Sequence, residues 1–91
     1  MELTYLRYFK TIAEHGSMTA AAKALGVSQP TVTVAVKSLE TELGTKLLQR
    51  NRDGVTLTET GQELVRHANE VFEVLARAER KILGIENEEA P

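Results

Sequence analysis

Lys37, Lys46, Arg50 and Arg52 fall within one window of sixteen residues, and the counter-ion suited to such a set is phosphate. The net charge of −2 speaks against nucleic acid, since domains that bind it usually carry an excess of Lys and Arg. That total hides a split. Residues 1–58 hold seven basic and five acidic side chains, whereas residues 59–91 hold four basic and eight acidic. The first part is therefore mildly basic, and the acidity belongs to the last third. Catalytic chemistry finds no comparable set. His15 and His67 stand alone, there is no cysteine, and neither a glycine-rich phosphate loop nor a carboxylate pair beside an apolar pocket is visible. No enzyme centre, metal site or cofactor is expected.

The elements that must position these cations fit one small domain. Ninety-one residues, 42% of them hydrophobic, leave no room for two full domains. The absence of cysteine excludes a disulfide scaffold and a zinc ribbon, and makes a reducing cytosol the expected location. No apolar run approaches the ~20 residues of a membrane span, and the start lacks a signal-peptide layout. The chain is expected to be cytoplasmic and to have no membrane partner.

Leu3, Leu6, Phe9 and Ala13 recur at three and four, which predicts a helix to about Glu14 with Gly16 as its left-handed stop. Ser17 or Thr19 can cap a short second helix over Ala20 to Leu25, ended by Gly26. Ser28 can cap a third, with Pro30 tolerated in its first turn. Val32, Val36, Leu39 and Leu43 form its inward stripe. At ~100° per residue the outer face carries Pro30, Thr33, Val34, Lys37 and Thr41, with Thr31 and Ser38 beside it. Ala22, Gly26 and Val32 fit the small residue, turn glycine and β-branched anchor of a helix-turn-helix. A short helical hairpin of an unrelated bundle would show the same pattern.

After Gly44, segments from Lys46 to Arg52 and from Val55 to Thr58 flank Asp53-Gly54, which predicts a hairpin turning on that dipeptide. Leu47, Leu48, Val55 and Leu57 supply its apolar contacts. Arg50 and Arg52, two apart on a strand, would share a face. Behind a helix-turn-helix this hairpin reads as a wing that contacts phosphate or the minor groove; elsewhere it would be a surface hairpin with two solvated arginines.

Thr58 can cap a last helix in which Leu64, Ala68, Val71, Leu75, Ala78, Ile82 and Ile85 follow alternating spacings of four and three, a heptad repeat. Running from 59 to 85, it would be ~40 Å long, more than one small domain needs for its own core. These seven residues are expected to pair two chains, although an amphipathic helix completing the monomer's core is the plainer alternative. Residues 86–91 read as a solvated tail or a cut linker.

The expected fold is therefore mainly α: a winged helix-turn-helix of three helices and a two-stranded β-wing over 1–58, then a linker helix over 59–85. In this order and spacing, Gly16-Ser17-Met18-Thr19-Ala20-Ala21-Ala22, Leu25-Gly26-Val27-Ser28-Gln29-Pro30, Leu39-Glu40, Leu43-Gly44, Leu47, Arg50 and Leu57-Thr58-Glu59-Thr60-Gly61 resemble the N-terminal domain of LysR-type transcriptional regulators. The resemblance covers about residues 2–85. It implies sequence-specific binding of double-stranded promoter DNA by a homodimer, joined through antiparallel linker helices, on an imperfect inverted repeat in bacteria. It also implies that Ser28, Gln29, Pro30, Thr31 and Thr33 meet base edges, and that Lys37, Arg50 and Arg52 hold phosphates or enter the minor groove.

Where the family often has a basic side chain, this sequence has Val34, kept among the DNA contacts as an apolar reader, and Asp53, which is left out. Family members continue into a domain that senses a small-molecule effector, so the chain is expected to be an excised part of a longer regulator, whose full-length form could be a tetramer. Two other readings stay open at this point: the DNA-binding part of a molybdate-responsive regulator, and a winged-helix module that binds protein.

Overall fold

The computed structural model describes residues 1–89, with side chains described for residues 1–85. Three helices come first: α1 (Leu3–His15), α2 (Met18–Leu25) and α3 (Gln29–Leu43). A two-stranded antiparallel sheet of β1 (Leu48–Asn51) and β2 (Gly54–Leu57) follows, and α4 (Glu59–Glu89) closes the order. The core lies where α1, α2 and α3 cross. Phe9, Ile12, Ala21, Val32, Ala35 and Leu39 are almost wholly buried there, and Leu47 fills the base of the hairpin. No side chain buried in this core is polar or charged.

Local sequence sets the helix ends. Gly16, Gly26 and Gly44 stop α1, α2 and α3 with φ of 65°, 70° and 68°, the left-handed conformation that costs glycine least. Ser17 rather than Thr19 caps α2, its hydroxyl accepting the Ala20 amide at 3.1 Å, so that helix starts at Met18. The Ser28 hydroxyl accepts the Thr31 amide at 3.3 Å and starts α3 with Pro30 in the first turn, as expected. Thr58 likewise accepts the Gly61 amide at 3.0 Å at the head of α4.

Several expectations need correction. Leu3 is exposed and Ile12 fully buried, because at 100° per residue Leu3 lies about 120° around the helix from Phe9. Leu43, expected inward, is exposed at the last residue of α3, where the chain turns away at Gly44; Ala35 takes a buried place on that face instead. The hairpin is shorter than predicted and turns elsewhere. Asn51 pairs with Gly54, so Arg52 and Asp53 make the turn, and the Asn51 side chain accepts the Asp53 amide at 2.9 Å. Among the described residues no non-glycine residue has positive φ, so the turn is not one that needs it at both central positions. Arg52 consequently sits at the tip and does not share a strand face with Arg50. Finally, α4 continues beyond 85 through Glu89, since a single Gly84 with good helix formers around it weakens a helix without ending it. Residues 90–91 of the expected tail lie outside the described residues.

Candidate nucleic-acid interface

The start of α3 is held by its own side chains. Ser28 and Thr31 share a hydroxyl–hydroxyl hydrogen bond of 2.8 Å in addition to the cap, so both hydroxyls are engaged locally. The Thr19 hydroxyl, at the head of α2, donates to Oε1 of Gln29 at 3.2 Å. That contact fixes an exposed amide at the helix start. A carbonyl oxygen has two lone pairs, so Oε1 can accept a second donor while the amide nitrogen donates. On the outer face of α3, Pro30, Val34 and Lys37 are exposed and Thr33 is half-buried.

The hairpin and the segment leading into it are tied to α3, to the head of α4 and to the turn between α1 and α2. The Glu40 carboxylate accepts the Leu47 amide through Oε2 at 2.8 Å and lies 3.7 Å from the Lys46 ammonium through Oε1. Thr58 and Thr60 donate their hydroxyls to the Lys46 carbonyl at 2.7 and 2.8 Å. The Thr58 amide donates to the Leu47 carbonyl and the Val55 amide to the Gly16 carbonyl, each at 3.1 Å. A Cβ on Gly54 would fall on the Gly16 carbonyl oxygen, and one on Gly61 on the Leu47 carbonyl oxygen, so glycine permits both approaches.

These constraints bring Gln29, Pro30, Thr33, Val34, Lys37 and Arg50 to the rim of one open depression between α3 and β1. Ser28 and Thr31 stay beside the cap, and Arg52 stands apart at the hairpin tip. Lys37, Arg50 and Arg52 are exposed, and none of them forms a salt bridge to a carboxylate among the described residues. Three uncompensated cations around a polar and apolar face suit an anionic, base-bearing partner. Glu40, Thr58, Thr60 and Gly61 position this arrangement without belonging to its surface. The positioning role of Glu40 gave no signal in the sequence, because a carboxylate reaching from a helix to a loop amide seven residues on follows neither helical nor strand periodicity.

The seven heptad residues divide into two groups. Ala68 is fully buried against the chain's own helices and Leu64 half-buried against the same core, together with Val65. The Arg7 guanidinium sits 4.3 Å over the Phe72 ring and holds α1 to α4. From Val71 onward the heptad positions are uncovered: Val71, Leu75, Ala78, Ile82 and Ile85 are exposed, as are Val74 and Leu83. Val74 is 52% exposed.

Three crossed helices, a hairpin packed behind the third and a protruding fourth define a winged helix-turn-helix domain with an appended helix. The family described as "Bacterial regulatory helix-turn-helix protein, lysR family" matches residues 3–62, and the chain belongs to it. The chain is 45% identical over 85 residues to the HTH-type transcriptional regulator BudR of Klebsiella aerogenes, covering 93% of this chain and 59% of that protein. It is 42% identical over 78 residues to the regulator TcbR of Pseudomonas sp. (strain P51), covering 86% of this chain and 26% of that protein. The chain thus spans 59% and 26% of the length of these two relatives. Among solved structures it is similar to the DNA-binding domain of CbnR in complex with DNA, at TM-score 0.85 and 39% identity, over 93% of this chain and 98% of that one. The likeness to the DNA-binding domain of BenM with catB site 1 DNA has TM-score 0.89 and 31% identity, over 99% and 97% of the two chains. Transcriptional regulators, not enzymes, make up this family.

Proposed function

We propose that this domain binds double-stranded DNA in a sequence-specific manner. The start of α3 enters the major groove, with Gln29, Pro30 and Thr33 toward base edges and Ser28 and Thr31 beside them. Lys37, Arg50 and Arg52 contact phosphates or the adjacent minor groove. The observation that carries this reading is the rim of Gln29, Thr33, Lys37 and Arg50 around one open depression, with the cations free of carboxylate partners among the described residues. A glutamine amide has the donor and acceptor needed for N7 and N6 of adenine, and two chains paired through α4 would present two such faces to an inverted repeat. Promoter control, an effector acting through a further domain and a tetrameric full-length form are parts of the same reading at the scale of a whole regulator.

Titrating labelled duplexes tests it. Affinity should depend on sequence, and its logarithm should fall linearly with the logarithm of salt, with a slope of about −0.9 per neutralised phosphate. Arg52→Ala should make that slope shallower by about one unit, and Gln29→Ala should cost specificity more than slope. Duplex binding unchanged in both variants would instead assign this face to a protein partner.

A further inference from the structure

The outer face of α3 contains an apolar step that phosphate contacts do not explain. Val34 is 58% exposed, among the largest exposures of any aliphatic side chain in the three-helix head. Pro30 is exposed one turn before it, and the two lie four residues apart on one face of the helix, where Cβ atoms are typically ~5–6 Å apart. Both belong to the depression rimmed by Gln29, Thr33, Lys37 and Arg50. An apolar pair left in water on a cationic, amide-bearing face is suited to a ligand that offers both phosphate and a methyl group to that face.

Resting on the DNA-binding reading above, we infer that Val34 and Pro30 form a methyl-reading step that selects thymine in the major groove. The thymine C5-methyl is the apolar group that a major-groove edge of unmodified DNA presents, and a valine side chain has no hydrogen bond to offer a competing base. Four residues of helix advance about 6 Å, and bases on one strand advance about 3.4 Å per step, so Pro30 and Val34 address methyls one or two steps apart. Lys37 and Arg50 flank the step and keep the backbone near it. Specificity at these positions is therefore apolar and insensitive to salt, unlike the phosphate contacts around it.

The test begins with a randomised, unmodified duplex pool from which the 91-residue chain selects its preferred sequence; such a pool holds no 5-methylcytosine, so any methyl read is that of thymine. Each thymine of the selected duplex is then replaced singly by deoxyuridine, which removes the methyl and leaves the pairing edge intact. At one or two positions the replacement should weaken binding about fourfold, the value of one buried methyl group, with an unchanged salt slope. In Val34→Ala, an exposed position where the fold has little to lose, the thymine-to-uracil difference at one of those positions should vanish. Val34→Arg should move the preference there toward guanine, whose O6 and N7 an arginine can take. A selected duplex in which deoxyuridine costs nothing anywhere, or a Val34→Ala variant that keeps the full difference at every position, would overturn the step while leaving DNA binding intact. A pool from which no sequence is enriched would overturn both.

Discussion

The Glu40 carboxylate, with a side chain only 13% exposed, accepts the Leu47 amide at 2.8 Å and faces Lys46 at 3.7 Å. It is the link between the helix that carries Gln29 and the hairpin that carries Arg50. Two effects can be separated there. The amide hydrogen bond is partly buried, and removing its acceptor costs about 1–3 kcal/mol; the Lys46 pair has one partner 80% exposed and is worth well under ~1 kcal/mol. Glu40→Ala should therefore lower the urea midpoint and speed hydrogen exchange at the Leu47 amide. Glu40→Gln, which keeps an acceptor and loses only the charge, should leave both near the parent values. Equal losses in the two variants would mean that the ion pair, and not the amide bond, docks the wing.

At the scale of elements, the join between wing and α4 depends on backbone contact. Gly61 is buried in the first turns of α4 against the Leu47 carbonyl, whereas Gly84 lies in the same helix with open space around its missing Cβ. The same substitution should thus have opposite signs. Gly61→Ala should destabilise by about 1–3 kcal/mol through overpacking, and Gly84→Ala should stabilise the helix by about 0.5–1 kcal/mol, both read by thermal melts followed by circular dichroism. Periodicity made the elements legible: the apolar spacings of α1 and α3, the glycines after the first three helices and the run of apolar residues around Asp53-Gly54 all mark real elements. What it could not convey was the turn. Asp53-Gly54 was the stronger local signal, yet the Asn51 side chain closes the turn one residue earlier and moves Arg52 to the tip. The site was legible to the same degree, with the face of α3 readable from 100° steps and the Glu40 latch invisible because it joins elements through a single side chain.

For the molecule as a whole, the proposed function makes the uncovered length of α4 the element that decides how many reading faces act together. Leu64 and Ala68 are used by the chain's own core, so the surface left for pairing is the later part of the heptad repeat, Val71, Leu75, Ala78, Ile82 and Ile85, widened by Val74 and Leu83. Thirty-one residues make a helix of about 46 Å, and leaving an apolar stripe along half of it in water is unfavourable by roughly 25 cal/mol per Å² of apolar surface. Charge opposes the pairing: residues 59–91 carry eight acids against four bases, so two such helices repel. Salt therefore acts in opposite directions on the two associations. Raising it from 0.1 to 1 M shortens the screening length from about 10 to about 3 Å, which should weaken the proposed contacts of Lys37, Arg50 and Arg52 with phosphate and relieve repulsion between paired α4 helices. Sedimentation at high micromolar concentration should give twice the 10.0 kDa chain mass, with the dimer fraction rising with salt while duplex affinity falls. Leu75→Glu with Ile82→Glu, both at exposed positions, should leave the winged head folded, reduce the mass to 10.0 kDa, and abolish the preference for an inverted repeat over a single half-site. A parent chain that sediments at 10.0 kDa under those conditions would refute pairing through α4 and leave each wing to bind a half-site alone.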